Sequence, residues 1–96
     1  MKSTSGILAC ALVLYATTAL ASDPPPGAAA CSGCHAVNPA AETPVPKING
    51  RNADEMVTMM AQFRSGAKQS TVMGRIAKGF TDDEMRPIAA WLAAQK

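Results

Sequence analysis

An all-α domain is the fold this sequence predicts, and three observations predict it. Two segments, 52–65 and 81–95, repeat apolar residues at helical spacing behind good N-cap residues. Little of the chain shows the β-branched alternation of a strand. Between the N-terminal region and the first periodic segment stands Cys31-Ser32-Gly33-Cys34-His35, a C-x-x-C-H sequence of the kind that attaches a c-type haem. Two thiols three positions apart on a helical turn each reach one vinyl group of the ring. The histidine after the second thiol then lies beneath the ring, where its imidazole ligates iron.

The chain has 96 residues. Lys2 begins a positive segment, and Ile7 to Leu20 form an apolar run interrupted by Cys10, Tyr15, Thr17 and Thr18. Ala19-Leu20-Ala21 supplies the small-x-small pattern of a cleavage site. Residues 1–21 are therefore expected to be an export signal cut after Ala21, and 22–96 the mature domain, with a periplasmic location. The run is short for a membrane span, which needs about 20 apolar residues. Cys10 stands near the start of this run, whereas a lipidated cysteine closes it, so Cys10 reads as an ordinary signal residue.

Removal of 21 residues from the 96 leaves 75, enough for one domain whose small core needs a staple such as a disulfide, a metal or a cofactor. Without Lys2, the nine Lys and Arg become eight, against seven Asp and Glu. That near balance argues against a nucleic-acid surface. No other run of the mature chain is long and apolar enough to span a membrane.

Within the mature domain, Asp23 is a candidate cap for a first helix that carries Pro24 to Pro26 in its early turn and runs through Ala28, Ala29 and Ala30 into the motif. Residues 36–51 lack a helical period and are punctuated by Pro39, Pro44, Pro46 and Gly50, which predicts a loop along one side of the haem. In that loop the backbone carbonyl of Pro46 is the candidate acceptor for the free ring nitrogen of His35, setting the plane and basicity of the imidazole.

Asn52 with Glu55 three residues on opens a helix, and Met56, Met59, Met60 and Phe63 form its apolar face. The methionine spacing is that of core packing. Gly66 fits the left-handed residue that closes such a helix. A connecting loop is expected over 67–79, with Met73 inside it. Thr81 with Glu84 is a capping box, Phe80 and Met85 form a candidate staple, and Met85, Ile88, Ala89 and Leu92 make a buried face beside Trp91. Pro87 falls among them. It removes the bond to the carbonyl of Asp83, so a kink is expected, with the regular helix beginning only at Pro87.

Other uses of the two cysteines fit less well. A structural zinc ion wants four ligands, and the mature chain offers two cysteines and one histidine. A thioredoxin-like pair wants a parallel sheet around it. A disulfide between residues three apart closes too small a loop to stabilise much. A non-haem thiol or metal-binding protein is accordingly the reading of another class. Because His35 is the only histidine, a second iron ligand is methionine, lysine, solvent or nothing. Met73, on a segment beyond a helix and far from the motif, is the best-placed candidate. His/Met ligation suits one-electron transfer.

At this level the chain resembles a class I cytochrome c over residues 27–96. Pro46-Lys47-Ile48-Asn49-Gly50, Phe63-Arg64-Ser65-Gly66 and above all Thr71-Val72-Met73-Gly74-Arg75-Ile76-Ala77-Lys78-Gly79 resemble the cytochrome subunit of flavocytochrome c sulfide dehydrogenase, and Phe80 to Glu84 also fits. The resemblance implies one haem c carried by Cys31 and Cys34, with His35 and Met73 on iron and Pro46 orienting His35. It also implies an FAD-containing sulfide dehydrogenase flavoprotein as partner and a soluble electron acceptor, the chain itself being an electron-transfer protein and not an enzyme. A freestanding shuttle between a dehydrogenase and a terminal oxidase is the alternative. Arg75, beside the candidate ligand, would face a haem propionate or the flavoprotein. Met73→Ala is expected to abolish the red-region charge-transfer band of the ferric protein and to lower its potential; an unchanged band moves the ligand elsewhere.

Overall fold

Proline cannot sit comfortably behind another residue's helical turn, and this decides how the described part of the chain begins. The computed structural model describes residues 23–95, so the expected signal segment 1–21 lies outside it. Each of Pro24, Pro25 and Pro26 biases the residue before it towards extended backbone. The first helix, α1 (Ala28–Ser32), therefore starts after the prolines, with Gly27 as its N-cap at φ 90°. The expectation that Asp23 caps a helix containing the prolines is not met. The turn is closed instead by Ala28 N–H donating to the carbonyl of Pro25 at 3.1 Å.

Residues 36–52 are irregular. Asn38 organises one turn, its side chain accepting from Ala40 N–H at 2.9 Å and its carbonyl from Ala41 N–H at 3.1 Å. Helix α2 (Ala53–Ser65) then forms as its caps direct: Glu55 N–H donates to Asn52 Oδ1 at 3.0 Å, and Gly66 closes the helix at φ 83°. Met56 and Met60 are buried on its inner face, with Phe63 partly covered beside them.

The expected loop over 67–79 contains a helix. α3 (Met73–Ala77) is opened by Arg75 and Ile76 N–H groups donating to the carbonyl of Val72, and by Gly74 N–H donating to Ser70 Oγ at 2.8 Å. Five residues are too few to display a hydrophobic period, which is why sequence spacing reads them as loop. Met73 and Ala77, four apart, turn to the core, where Ala77 is buried.

Helix α4 (Asp82–Ala94) begins at its capping box, Glu84 N–H donating to Thr81 Oγ1 at 3.2 Å. It runs through Pro87, contrary to the expected late start. The proline stands near the helix start, and both Pro87 and Asp83 are exposed, so the carbonyl that loses its partner faces water. Met85, Ile88, Ala89 and Leu92 are buried as their spacing predicts. Arg64, at the end of α2, donates to the carbonyl of Phe80 at 3.0 Å and to Asp82 at 2.7 Å, tying that helix end to the start of α4.

α2 packs against both α3 and α4. The core consists of Ala28, Met56, Met60, Ala77, Met85, Ile88, Ala89 and Leu92, so all four helices contribute, and no strand occurs among the described residues. Two glycines with similar backbone carry different loads. A Cβ on Gly27 would stand 2.9 Å from Phe80 and 3.2 Å from Ile88, whereas one on Gly66 would meet nothing within 4 Å. Gly66→Ala is expected to cost about 1–2 kcal/mol for its left-handed backbone. Gly27→Ala should cost the same plus about 1–3 kcal/mol of overpacking. Thermal unfolding of the two holo variants checks the order; equal losses would show that α1 does not press on α4.

Candidate functional site

The cysteine motif sits where α1 ends. Gly33 N–H donates to the carbonyl of Ala29 at 3.1 Å, and both Cys34 and His35 N–H groups donate to the carbonyl of Cys31 at 3.2 and 2.8 Å. These bonds keep the backbone turning after Ser32, so Cys31 and Cys34 stand about one turn apart with His35 directly after them. Both cysteines are free thiols. Cys31 is partly covered and packs against the core, while Cys34 is exposed. Burial pushes the Cys31 thiol above its ordinary range, offset in part by a backbone hydrogen bond.

His35 is half-buried, and its Nδ1 lies 2.5 Å from the carbonyl oxygen of Pro46. A carbonyl only accepts, so Nδ1 carries the proton and donates it. In the neutral ring the unprotonated nitrogen is then Nε2, whose lone pair is available to a metal. The contact spans eleven positions and joins the end of the motif to the proline loop. That loop is held at two further points. Lys47 Nζ donates to the carbonyl of Pro39 at 2.5 Å, and Gly50 N–H donates to the carbonyl of Leu92, in α4, at 2.9 Å.

His35 and Pro46 are thus brought together directly, whereas Cys31 and Met73 meet only through the core cluster against which both pack. Met73 is partly buried at the first position of α3. Spacing does not reveal Asn49. Its Oδ1 is buried with no hydrogen-bond partner among the described residues, three positions beyond Pro46. Two surface clefts, about 560 and 380 Å³, lie near the start of α4 and the end of α2, and neither is lined by the motif, Pro46 or Met73.

These residues fit a covalent haem on two grounds. The donor set is complete for attachment and one axial bond: two free thiols at the required spacing, and an imidazole with one nitrogen committed and the other available. The polypeptide core is also thin. Ile88 and Leu92 are its largest fully buried side chains, while Val37, Ile48, Val57, Phe63, Met73 and Trp91 remain partly exposed around it. An apolar ring plane would cover such groups, at a gain of about 25 cal/mol for each Å² taken from water. Metal chelation by clustered side chains has no counterpart: no group of three or more His, Cys, Asp or Glu placed to hold an ion occurs among the described residues.

No protein-family model matches the chain, and no solved structure matches it significantly. Three relatives do. The cytochrome subunit of sulfide dehydrogenase from Chlorobaculum tepidum is 38% identical over 61 residues, 64% of this chain and 56% of that protein. Cytochrome c-552 from Acidithiobacillus ferridurans is 29% identical over 65 residues, 68% of this chain and 28% of the relative. The thiosulfate dehydrogenase electron acceptor of Stutzerimonas stutzeri is 35% identical over 71 residues, 72% and 33% of the respective chains. The matched region thus spans between about a quarter and just over half of each relative's length. A helical domain bearing C-x-x-C-H, with relatives named as cytochromes, is a class I cytochrome c with haem c as its cofactor, and it resembles the cytochrome subunit of sulfide dehydrogenase.

Proposed function

We propose that the chain is a periplasmic electron carrier, the monohaem subunit that accepts electrons from an FAD-containing sulfide dehydrogenase flavoprotein. The observation that carries the haem-site part of this reading is the commitment of His35 Nδ1 to the Pro46 carbonyl beside two free thiols. The partner part rests on the likeness to the Chlorobaculum tepidum protein named as the cytochrome subunit of sulfide dehydrogenase.

When bound, haem c supplies one-electron chemistry that no side chain here could provide. The polypeptide's work is attachment, orientation and shielding. Cys31 and Cys34 would hold the ring through thioethers. Pro46 fixes the imidazole plane of His35 through Nδ1–H and raises the basicity of Nε2, the nitrogen assigned to iron. Met73, at the start of α3 and packed against the core, would supply the second protein bond to iron. The half-buried apolar side chains would keep water from the ring. No group is assigned bond-making chemistry on sulfide. Among the described residues no helix is long and apolar enough to cross a membrane, and an exported location rests on the reading of 1–21 as a cleaved signal.

A second reading, a freestanding soluble carrier, is favoured by the relative named as a thiosulfate dehydrogenase electron acceptor. Purification of the native protein with its visible spectrum separates the two. The subunit reading expects a c-type pyridine haemochrome, an FAD protein that co-elutes on gel filtration, and reduction of the haem by sulfide. A cytochrome that elutes alone and takes electrons only from an added dehydrogenase supports the free carrier. Absence of a c-type haemochrome overturns both. Cys31→Ser combined with Cys34→Ser is expected to release haem into acid acetone, where the parent protein retains it.

A further inference from the structure

Of the three asparagines in this chain, one precedes a glycine. Asn38 is followed by Pro39 and Asn52 by Ala53, whereas Asn49 stands before Gly50. Asn49 and Gly50 are the central pair of a turn, which Arg51 N–H closes by donating to the carbonyl of Ile48 at 3.4 Å. Gly50 takes φ 75°, a value that a type II turn asks of its third residue. An asparagine before glycine has a reaction of its own, because no side chain hinders the next backbone nitrogen. That nitrogen attacks Cγ of the asparagine, and a C–N bond forms. The C–Nδ2 bond breaks, and ammonia leaves with the proton that the backbone nitrogen gives up, so a cyclic imide remains. Water then opens the imide to aspartate or isoaspartate and is the one co-reactant.

Two features of the fold oppose the first step. The nucleophile is committed: Gly50 N–H donates to the carbonyl of Leu92 at 2.9 Å, and it must lose this proton to attack. The oxygen that would gather negative charge, Asn49 Oδ1, is buried with no donor among the described residues to stabilise it. The first feature depends on the end of α4. Leu92 is buried, and Gln95 caps the helix there, its N–H donating to the Leu92 carbonyl and its Nε2 to the Trp91 carbonyl, each at 3.1 Å. The backbone oxygen of Gln95 stands 3.2 Å from where a Cβ on Gly50 would lie, so the helix end covers the turn closely. We propose that Asn49 is a deamidation site held closed by the end of α4 and opened when that end lifts from the turn. Helix ends fray, and such local opening costs less than unfolding the domain. The carboxylate so formed would stand where a neutral oxygen is now buried, and an unpaired buried charge is costly. Reclosure is therefore opposed, and the loop that carries Pro46 would lose its bond to α4.

Incubation of the holo-protein at alkaline pH, with mass spectrometry of its peptides and hydrogen exchange at the Gly50 amide, tests this. Asn49 is expected to convert at least about tenfold more slowly in the native protein than in the same protein unfolded by urea. Leu92→Val and Gln95→Ala should raise both the conversion of Asn49 and the exchange of Gly50, by about three- to tenfold and in step with each other. Gln95→Ala alters no core side chain, so it carries the test should Leu92→Val fail to fold. Thr81→Ala, which removes the cap at the other end of α4, should leave both rates as in the parent. Equal conversion in native and unfolded protein overturns the closed site, and no conversion in the unfolded protein overturns the site itself. Conversion that rises without exchange, parent-like rates in Gln95→Ala, or an equal rise in Thr81→Ala overturns the part given to the end of α4. The converted protein, separated by its added charge, should unfold at a lower temperature than the parent. An equal midpoint overturns the barrier to reclosure.

Discussion

The hydrogen bond from His35 Nδ1 to the carbonyl of Pro46 is the contact on which the site's geometry depends. It selects one tautomer of the domain's only histidine, because a carbonyl cannot donate. It also sets the ring's orientation, since the acceptor belongs to backbone and not to a rotatable side chain. That backbone is itself held, by the Gly50 bond to Leu92 at one side and by the Lys47 bond to Pro39 at the other. The imidazole is thus fixed relative to α4 through a loop with no regular structure of its own. A flexible linker of the same length would leave the ring free to turn.

The second constraint is size. A domain this small buries few large side chains, and here Ile88 and Leu92 are the largest that are fully enclosed, each worth about 1.5–3 kcal/mol of burial. Methionines fill much of what remains: Met56, Met60 and Met85 are buried, and their unbranched side chains adapt to irregular space. Around them stands a ring of half-covered apolar groups that includes Cys31 and Met73. A covalent haem among such groups would finish the core as well as carry the electron, so stability and function depend on one ligand.

α3 joins these two themes to the surface. One side of a five-residue helix gives Met73 and Ala77 to the core, and the other leaves Val72 and Ile76 in water. α3 lies against the end of α2: a Cβ on Gly74 would stand 3.5 Å from the Phe63 carbonyl oxygen and 3.4 Å from Ser70 Oγ, in ordinary contact. The same short segment therefore serves the interior, the candidate axial ligand and the outer face.

What the amino-acid sequence determines by itself is whatever depends on neighbours a few positions away. The N-caps Asn52 and Thr81, the closing Gly66 and the buried faces of α2 and α4 follow from hydrogen bonds and spacings contained within a turn or two of chain. The five-residue cysteine motif is legible for the same reason, its spacing being dictated by the ring it holds. The lone histidine and the placement of Met73 made it the candidate second ligand, and the resemblance around it implies the same role. Tertiary structure decided the rest. Gly27, not Asp23, opens α1, because its missing side chain lets Phe80 and Ile88 close on it. Pro87 rides inside α4 because the orphaned carbonyl faces water while Ile88 and Leu92 anchor the helix. Segment 73–77 coils into a helix too short to leave a period. Which apolar residues stay in water depends on the helices that pack around them, and so the exposure of Val72 and Ile76 belongs to the fold and not to the order of residues.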